Sequence, residues 1–136
     1  MTQENLMSSY ISKMPVINLK DDSTFNAKMK KILKITKNKS IPYIVLVSSP
    51  HCGHCISLQK AWKAAADIIK KKKWIIQINA DVAAHLLSEH SDNPLLKKLL
   101  KGYGNGVPFI SKFSNNAISE FNGERNIEEL VGFMSI

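Results

Sequence analysis

The chain has 136 residues, which is the length of one typical domain and is enough to bury a core without disulfides. Hydrophobic residues make up 44% and charged residues 22%, and the glycines and prolines are scattered, so disordered, collagen-like and coiled-coil classes are excluded. Residues 1–15 hold no long apolar run, and no apolar stretch can span a bilayer, so we expect neither a secretory signal nor a membrane segment.

The charge is strongly basic, with a formal net value of +8, and 18 of the 19 basic residues are lysines. Sequence-reading nucleic-acid interfaces favour arginine because its planar guanidinium matches base edges and phosphates. A chain that is also rich in Ile and Asn is typical of A/T-rich coding DNA, which raises lysine content without functional demand. We interpret the lysines as a solubilising surface, with an electrostatic partner site as the alternative, and expect no nucleic-acid partner.

Hydrophobic patterning predicts a flexible arm at residues 1–15 and a single domain at residues 16–136. The predicted elements in chain order are a strand at 16–19, a helix from Asp22 or Ser23 to about Lys37, a strand at 42–47, a helix at 52–72, a strand at 74–79, short helices at 82–89 and 94–101, a hairpin of strands at 109–113 and 117–121, and a helix at 127–134 capped by Asn126. The βαβ crossovers imply an α/β fold, in which a mixed sheet with a parallel core and an antiparallel hairpin carries helices on both faces.

Both cysteines lie in one tetrapeptide, Cys52-Gly53-His54-Cys55, where a buried strand meets a helix. A disulfide closing so small a loop gains little stability, so a structural bridge is disfavoured. At a helix N-terminus the free N–H groups and the dipole favour a thiolate at Cys52. Since Cys55 follows one turn later, it can attack a mixed disulfide formed at Cys52. The pattern therefore indicates thiol–disulfide exchange.

Two histidines beside these cysteines, His51 and His54, add further metal-ligand types. Four ligands within five consecutive positions cannot easily surround one ion tetrahedrally, and the sequence offers no second ligand cluster. We therefore expect no metal and no other bound cofactor, with a metal shared between molecules as the alternative.

The chain resembles the thioredoxin superfamily, and its C-G-H-C tetrapeptide is that of protein disulfide isomerase domains. The resemblance runs from about Val16 to Met134 and includes Pro50, the Gly106-Val107-Pro108 segment and residues 121–125. It implies a single thioredoxin-like domain that carries out thiol–disulfide chemistry.

The resemblance also implies roles for individual residues. Cys52 would be the nucleophile and Cys55 the resolving thiol, together forming a redox-active disulfide. His54 would favour the thiolate. Pro108 would be the family's cis-proline beside the cysteine pair. The implied substrate groove consists of His51, Gly53, Val107 and Pro108.

Four positions depart from the family pattern. His51 stands where a tryptophan is usual, and Ile56 stands where a lysine is usual. Leu46 occupies the place of a buried acid, and Gln77 occupies the place of the lysine that pairs with that acid. The resolving thiol is then expected to lose its proton to water or to a nearby imidazole.

The expected function is that of an enzyme, a thiol–disulfide oxidoreductase that forms, reduces or isomerises disulfides in protein substrates. Its expected partners are those proteins and an upstream reductase, oxidase or small thiol. The alternative is a binding module on the same fold, which holds client proteins without efficient turnover. Without a signal peptide or retention signal we expect a cytoplasmic location, or a viral factory or virion if the source is a large DNA virus.

Overall fold

The structure is a computed structural model that describes residues 16–20, 23–38, 41–89, 97, 106–115 and 117–135. The predicted arm and nearly all of the predicted helix at 94–101 lie outside these residues. The elements are β1 (Val16–Leu19), α1 (Phe25–Lys37), β2 (Tyr43–Ser48), α2 (Gly53–Ile69), β3 (Trp74–Asn79), α3 (Ala80–Glu89), β4 (Phe109–Ser114), β5 (Ala117–Glu120) and α4 (Ile127–Ser135).

The five described strands form one mixed sheet in the order β1-β3-β2-β4-β5. The first three strands along the chain run parallel, with β3 between β1 and β2, whereas β4 and β5 are antiparallel neighbours. This arrangement confirms the predicted α/β class. Strand β2 lies at the centre and is buried from Tyr43 to Val47, as its continuous β-branched and aromatic run predicts.

Each face of the sheet is covered by two of the described helices. Helices α1 and α3 pack on one face, where Ile32 and Leu86 are fully buried. Helices α2 and α4 pack on the other face, where Leu58, Trp62 and Leu130 join the core. Each such side chain stabilises the fold by about 1.5–3 kcal/mol on burial. Within the described ranges, no helix is long and apolar enough to cross a membrane.

Two helix starts differ from the sequence prediction, and a third agrees with it. The N-cap of α1 is Thr24 rather than Asp22 or Ser23, because the Thr24 carbonyl accepts the first helical hydrogen bond, 3.0 Å from the Lys28 nitrogen. Helix α3 begins two residues before the predicted Val82, because the chain passes from β3 into the helix without a loop. Asn126 caps α4 as predicted, with Oδ1 accepting from the Glu129 nitrogen at 2.9 Å.

Candidate active site

Cys52 is the N-cap of α2 and lies four residues after Ser48, the last residue of the central strand β2. Its φ and ψ of −96° and 122° are extended, and its sulfur accepts a hydrogen bond from the Cys55 backbone nitrogen at 3.2 Å. The hydrogen bond from the Cys55 thiol, and then that backbone N–H, hold the pKa of Cys52 below the usual thiol value. The side chain is partly exposed, so the thiolate is accessible.

Cys55 lies in the first turn of α2 and faces inward, with only 3% of its surface exposed. Its sulfur accepts a hydrogen bond from the Ser49 backbone nitrogen at 3.4 Å. Burial is the main cause that raises the pKa of Cys55, and the hydrogen bond it shares with Cys52 raises it further. Both cysteines are free thiols. The pair therefore combines one accessible, acidic thiol with one buried thiol that keeps its proton.

The segment before β4 lies against the reactive sulfur. The Cys52 thiol is 3.4 Å from the Val107 carbonyl oxygen, to which it can donate, although the two residues are 55 positions apart. The peptide bond between Val107 and Pro108 is cis, as the family resemblance implied. A groove of about 330 Å³ runs along this segment and is also lined by Phe109 and Arg125. The fold thus brings the Val107 carbonyl to the Cys52 sulfur, and the role of Val107 and Pro108 in a substrate groove stays a prediction.

The other predicted site residues surround Cys52 along the chain. His51 and His54 are exposed on either side of it. A Cβ built on Gly53 meets no described heavy atom within 4 Å, so the described structure leaves open space at this point of the helix start. Ile56 is 60% exposed, which places an apolar side chain in the same first turn as Cys55.

Arg125 is a site residue that the sequence reasoning did not identify as functional. It lies in the loop between β5 and α4. Its positive charge adds a small effect to the hydrogen bonds from Cys55 that hold down the pKa of Cys52, and it weakly opposes the burial that raises the pKa of Cys55. The available signal was composition, since Arg125 is the single arginine among 19 basic residues. Spacing alone could not place it, because some 70 residues separate it from the cysteines.

The positions of the absent family acid and lysine are neighbours in the structure. Leu46 on β2 and Gln77 on β3 are register partners across the parallel strands. The Trp62 indole nitrogen of α2 donates to Gln77 Oε1 at 2.5 Å, and Gln77 Nε2 in turn donates to Asn18 Oδ1 on β1. An amide hydrogen-bond chain therefore occupies this part of the sheet.

The sequence left a metal shared between molecules as the alternative for the His and Cys residues around the helix start. Over the part of the chain that the structure describes, no group of three or more His, Cys, Asp or Glu side chains is arranged to hold a metal ion.

The comparisons with known proteins agree with this geometry at the level of fold. The J-Trx1 fragment of ERdj5 is 23% identical, with a TM-score of 0.58 over 93% of this chain and 51% of that one. Chloroplastic thioredoxin z is 15% identical, with a TM-score of 0.55 over 90% of this chain and 93% of that one. The first thioredoxin domain of mouse protein disulfide-isomerase A4 is 19% identical, with a TM-score of 0.55 over 87% of this chain and 71% of that one.

No family model matches the sequence, and no curated protein matches it significantly. The chain spans about half of the ERdj5 fragment and 13% of the ERdj5 chain itself. The structural neighbours define its class: the chain has a thioredoxin fold, and its two cysteines, three positions apart, fit the C-x-x-C motif. At these identities the similarity establishes the fold, and the activity is argued from the site.

Proposed function

We propose that the protein is a thiol–disulfide oxidoreductase that acts on protein substrates through Cys52 and Cys55. The observation that carries this proposal is the asymmetry of the pair. Cys52 is partly exposed, with a lowered pKa at a helix N-terminus, whereas Cys55 is buried, with a raised pKa, in the same helical turn. A structural pair needs no such difference, but a nucleophile and its resolving partner do.

The proposed reaction has two exchange steps. The Cys52 thiolate attacks one sulfur of a client disulfide, which forms a mixed disulfide and releases the other client sulfur as a thiolate. Cys55 then loses its proton and attacks Cys52, forming the Cys52–Cys55 bond and releasing the second client thiol. The client gains two electrons and the cysteine pair loses two. The reverse sequence oxidises a client dithiol, and an upstream reductase, oxidase or small thiol resets the pair.

The client is proposed to lie across His51, Gly53, Val107 and Pro108. The Val107 carbonyl oxygen within 3.4 Å of the Cys52 sulfur supports this placement, because a client sulfur bonded to Cys52 must pass beside that segment. His54 is proposed to favour the thiolate through its backbone N–H, which is among the groups that lower the pKa of Cys52 after the hydrogen bonds from Cys55. Exposed apolar and cationic side chains, Ile56 and Arg125, stand at the edges of this surface.

Trapping experiments test the two roles. A limiting amount of alkylating reagent should modify Cys52 first in the reduced protein. Cys55→Ser should accumulate mixed disulfides with client proteins, because the resolving thiol is missing, whereas Cys52→Ser should accumulate almost none. Non-reducing electrophoresis followed by mass spectrometry reads out both variants. Equal trapping by Cys52→Ser and Cys55→Ser would contradict the assignment.

Turnover separates the enzyme from a binding module on the same fold. The reduced protein and a catalytic thiol pool should reduce or reshuffle many equivalents of a protein disulfide, and Cys52→Ala should abolish this turnover. Affinity for the client without turnover would favour the binding module.

The reduction potential of the Cys52–Cys55 pair indicates the direction of net electron flow between the protein and its clients. A value of about −270 mV favours a reductase, and a value of about −180 mV favours an isomerase or oxidase. We further propose that it works in the cytoplasm, where the redox state of the pair can be measured by thiol labelling.

A further inference from the structure

A cavity of about 530 Å³ lies behind the cysteine pair, between α2 and the ends of the three parallel strands. Cys55, Leu46 and Gln77 are among its lining residues. Cys55 has only 3% of its surface exposed, and it is one of the residues that border this cavity.

Polar groups make this cavity suitable for water. Its lining includes serines and amides from the strand ends, namely Asn18, Ser48, Ser49, Gln77 and Asn79. Buried water is stable where two to four polar partners are within reach, and a water molecule occupies about 30 Å³ of liquid volume. The cavity therefore has room for on the order of ten waters between the buried thiol and bulk solvent.

The orientation of the Gln77 amide is fixed from both ends. The Trp62 indole nitrogen is a donor only, so the amide oxygen must face it, 2.5 Å away. The amide nitrogen is then directed towards Asn18 Oδ1, to which it donates. This leaves one hydrogen on Gln77 Nε2, and both hydrogens on the Asn18 amide nitrogen, as donors for other acceptors. Because Asn18, Gln77 and Cys55 all line the cavity, this hydrogen-bond chain adds N–H donors, which favour negative charge, to the cavity that Cys55 borders.

Among the described lining residues, the charged groups leave water as the nearest base. These groups are three cations, Lys20 after β1, Lys63 on α2 and Lys70 just after α2, and one carboxylate, Asp67. The Asp67 carboxylate is 3.3 Å from Lys70 Nζ and is exposed, so it is held away as an ion pair. Arg125 and Cys52 act on Cys55 from outside the cavity, and the Arg125 charge favours the thiolate. The exposed histidines, His51 and His54, are not among the described lining residues.

We propose that this cavity is the water-filled proton route of Cys55, with Gln77 as the positioning residue that anchors its water beside the buried thiol. The proposal rests on the proposed function and concerns its second step. The Cys55 thiol passes its proton to a cavity water and from there to solvent. The resulting thiolate attacks Cys52, the Cys52–Cys55 bond forms, and the bond from Cys52 to the client sulfur breaks. The electron pair leaves with the client sulfur, which takes a proton from solvent.

A chromogenic aromatic disulfide separates the two steps in one stopped-flow trace. The attack of Cys52 releases the first aromatic thiolate, and the attack of Cys55 on the mixed disulfide releases the second. Gln77→Met keeps the side-chain length but removes the amide. It should slow the second release roughly tenfold near neutral pH, the effect of one hydrogen bond to an ionised group. It should also move the pH midpoint of the second release upward, and leave the rate and pH profile of the first release unchanged.

Matched variants keep the proposal falsifiable. Gln59→Met makes the same change elsewhere on the cavity lining, outside the hydrogen-bond chain, and should alter neither release. Trp62→Phe keeps an aromatic ring but removes the donor that fixes the Gln77 amide, and should slow the second release by a smaller factor. If Gln77→Met does not fold, the rate of the second release in Trp62→Phe tests the proton route in its place. An unchanged second release and pH profile in the folded variant would overturn the proton route.

The same stopped-flow trace distinguishes a failure of the proposed oxidoreductase function from a failure of the proton route. If the wild-type protein and Cys55→Ser gave identical single releases, the proposed function itself would fail. If the wild-type protein gave two releases, and the second were insensitive to Gln77 and Trp62, the oxidoreductase function would stand and only the proton route would fail.

Discussion

Arg125 acts on both thiols by charge, and its effect can be measured at Cys52. Removing the guanidinium in Arg125→Gln should raise the pKa of Cys52, since that charge is one of the causes holding it down. The rate of alkylation by a neutral reagent should then reach its midpoint at a higher pH than in the wild-type protein. Because Arg125 is exposed, the shift should shrink as salt is added.

Lys60→Gln is the matched control for this prediction, because it removes an exposed cation from α2. Its alkylation profile should overlay that of the wild-type protein at every salt concentration. If Lys60→Gln and Arg125→Gln shifted the profile equally, net charge rather than the position of Arg125 would be the cause.

Leu46 and Val45 are adjacent buried residues that face opposite sides of the sheet, and only Leu46 lines the cavity. A carboxylate at a dry buried position has no opposite charge and no water to solvate it, so it lowers the unfolding free energy by roughly 3–5 kcal/mol. We expect that cost for Val45→Glu relative to Val45→Gln. For Leu46→Glu relative to Leu46→Gln we expect only about 1–3 kcal/mol, because cavity water can solvate the carboxylate.

Denaturant unfolding at a pH where glutamate is ionised measures both differences, and comparison with glutamine at each position cancels the effect of size. Equal losses at the two positions would mean that the cavity is dry. This result would weaken the proton route by evidence independent of any reaction rate.

At the scale of elements, two lysines hold the C-terminal end of α4 against the sheet. Lys112 on β4 donates from Nζ to the Phe133 carbonyl at 2.6 Å, and Lys73 before β3 donates to the Met134 carbonyl at 2.5 Å. The last carbonyls of a helix have no intrahelical donors, and cations suit the negative end of its dipole. Burial lowers the pKa of both lysines, as expected when ammonium groups leave water.

Lys112→Met should lower the unfolding free energy by about 1–3 kcal/mol, because it leaves a partly buried carbonyl without its charged donor. It also removes the ammonium group that lies 4.4 Å from the centre of the Phe133 ring. Denaturant unfolding measures the loss, with Lys71→Met as the exposed control, which should change stability by less than about 0.5 kcal/mol. A loss no larger than that of the control would show that the helix end needs no lysine donor.

The elements that the sequence predicted well are those whose signal is local. Continuous runs of β-branched and other apolar residues located β2 and β3, and Asn126 marked the start of α4. The contacts that the sequence could not predict join distant segments. Lys112 and Phe133 are 21 positions apart, and Gln77 and Asn18 are 59 apart, so neither hydrogen bond corresponds to a helical or strand periodicity in the sequence.

The site followed the same rule. The C-x-x-C spacing identified Cys52 and Cys55, whose geometry is local to one helical turn. The family resemblance placed Leu46 and Gln77 at the positions of the absent buried acid and its paired lysine. The sequence could not show that Trp62 donates a hydrogen bond to Gln77 or that both residues line a cavity. Cavities depend on how α2 packs over the strand ends, which is a property of the whole fold.

At the scale of the whole molecule, the active site and the cavity share one edge of the sheet. The carboxyl ends of the three parallel strands, at Leu19, Ser48 and Asn79, all border the cavity. In open α/β sheets this edge is where ligands and catalytic groups gather. Cys52 lies at this edge, at the N-terminus of α2, so the proposed client surface and the proposed proton route lie on opposite sides of one helix start.

This arrangement couples the stability of the fold to pH through the two thiols. The pKa of Cys52 is lowered by folding, so its thiolate contributes stability above the unfolded thiol pKa, and this contribution is lost as pH falls through the folded value. The pKa of Cys55 is raised, so its contribution is present below the unfolded pKa and is lost as pH rises through the folded value.

We therefore expect the reduced protein to exceed Cys52→Ala in unfolding free energy most strongly on the alkaline side of neutrality, with the difference narrowing towards acid. The difference from Cys55→Ala should narrow in the opposite direction. The dependence of this second difference on pH should be less simple, because Cys55→Ala also removes the hydrogen bond that does most to lower the pKa of Cys52. Denaturant unfolding under a phosphine reductant across a pH series measures both differences. A difference between wild type and Cys52→Ala that stayed constant with pH would mean that folding does not perturb the nucleophile, and the asymmetry of the pair would lose its thermodynamic basis.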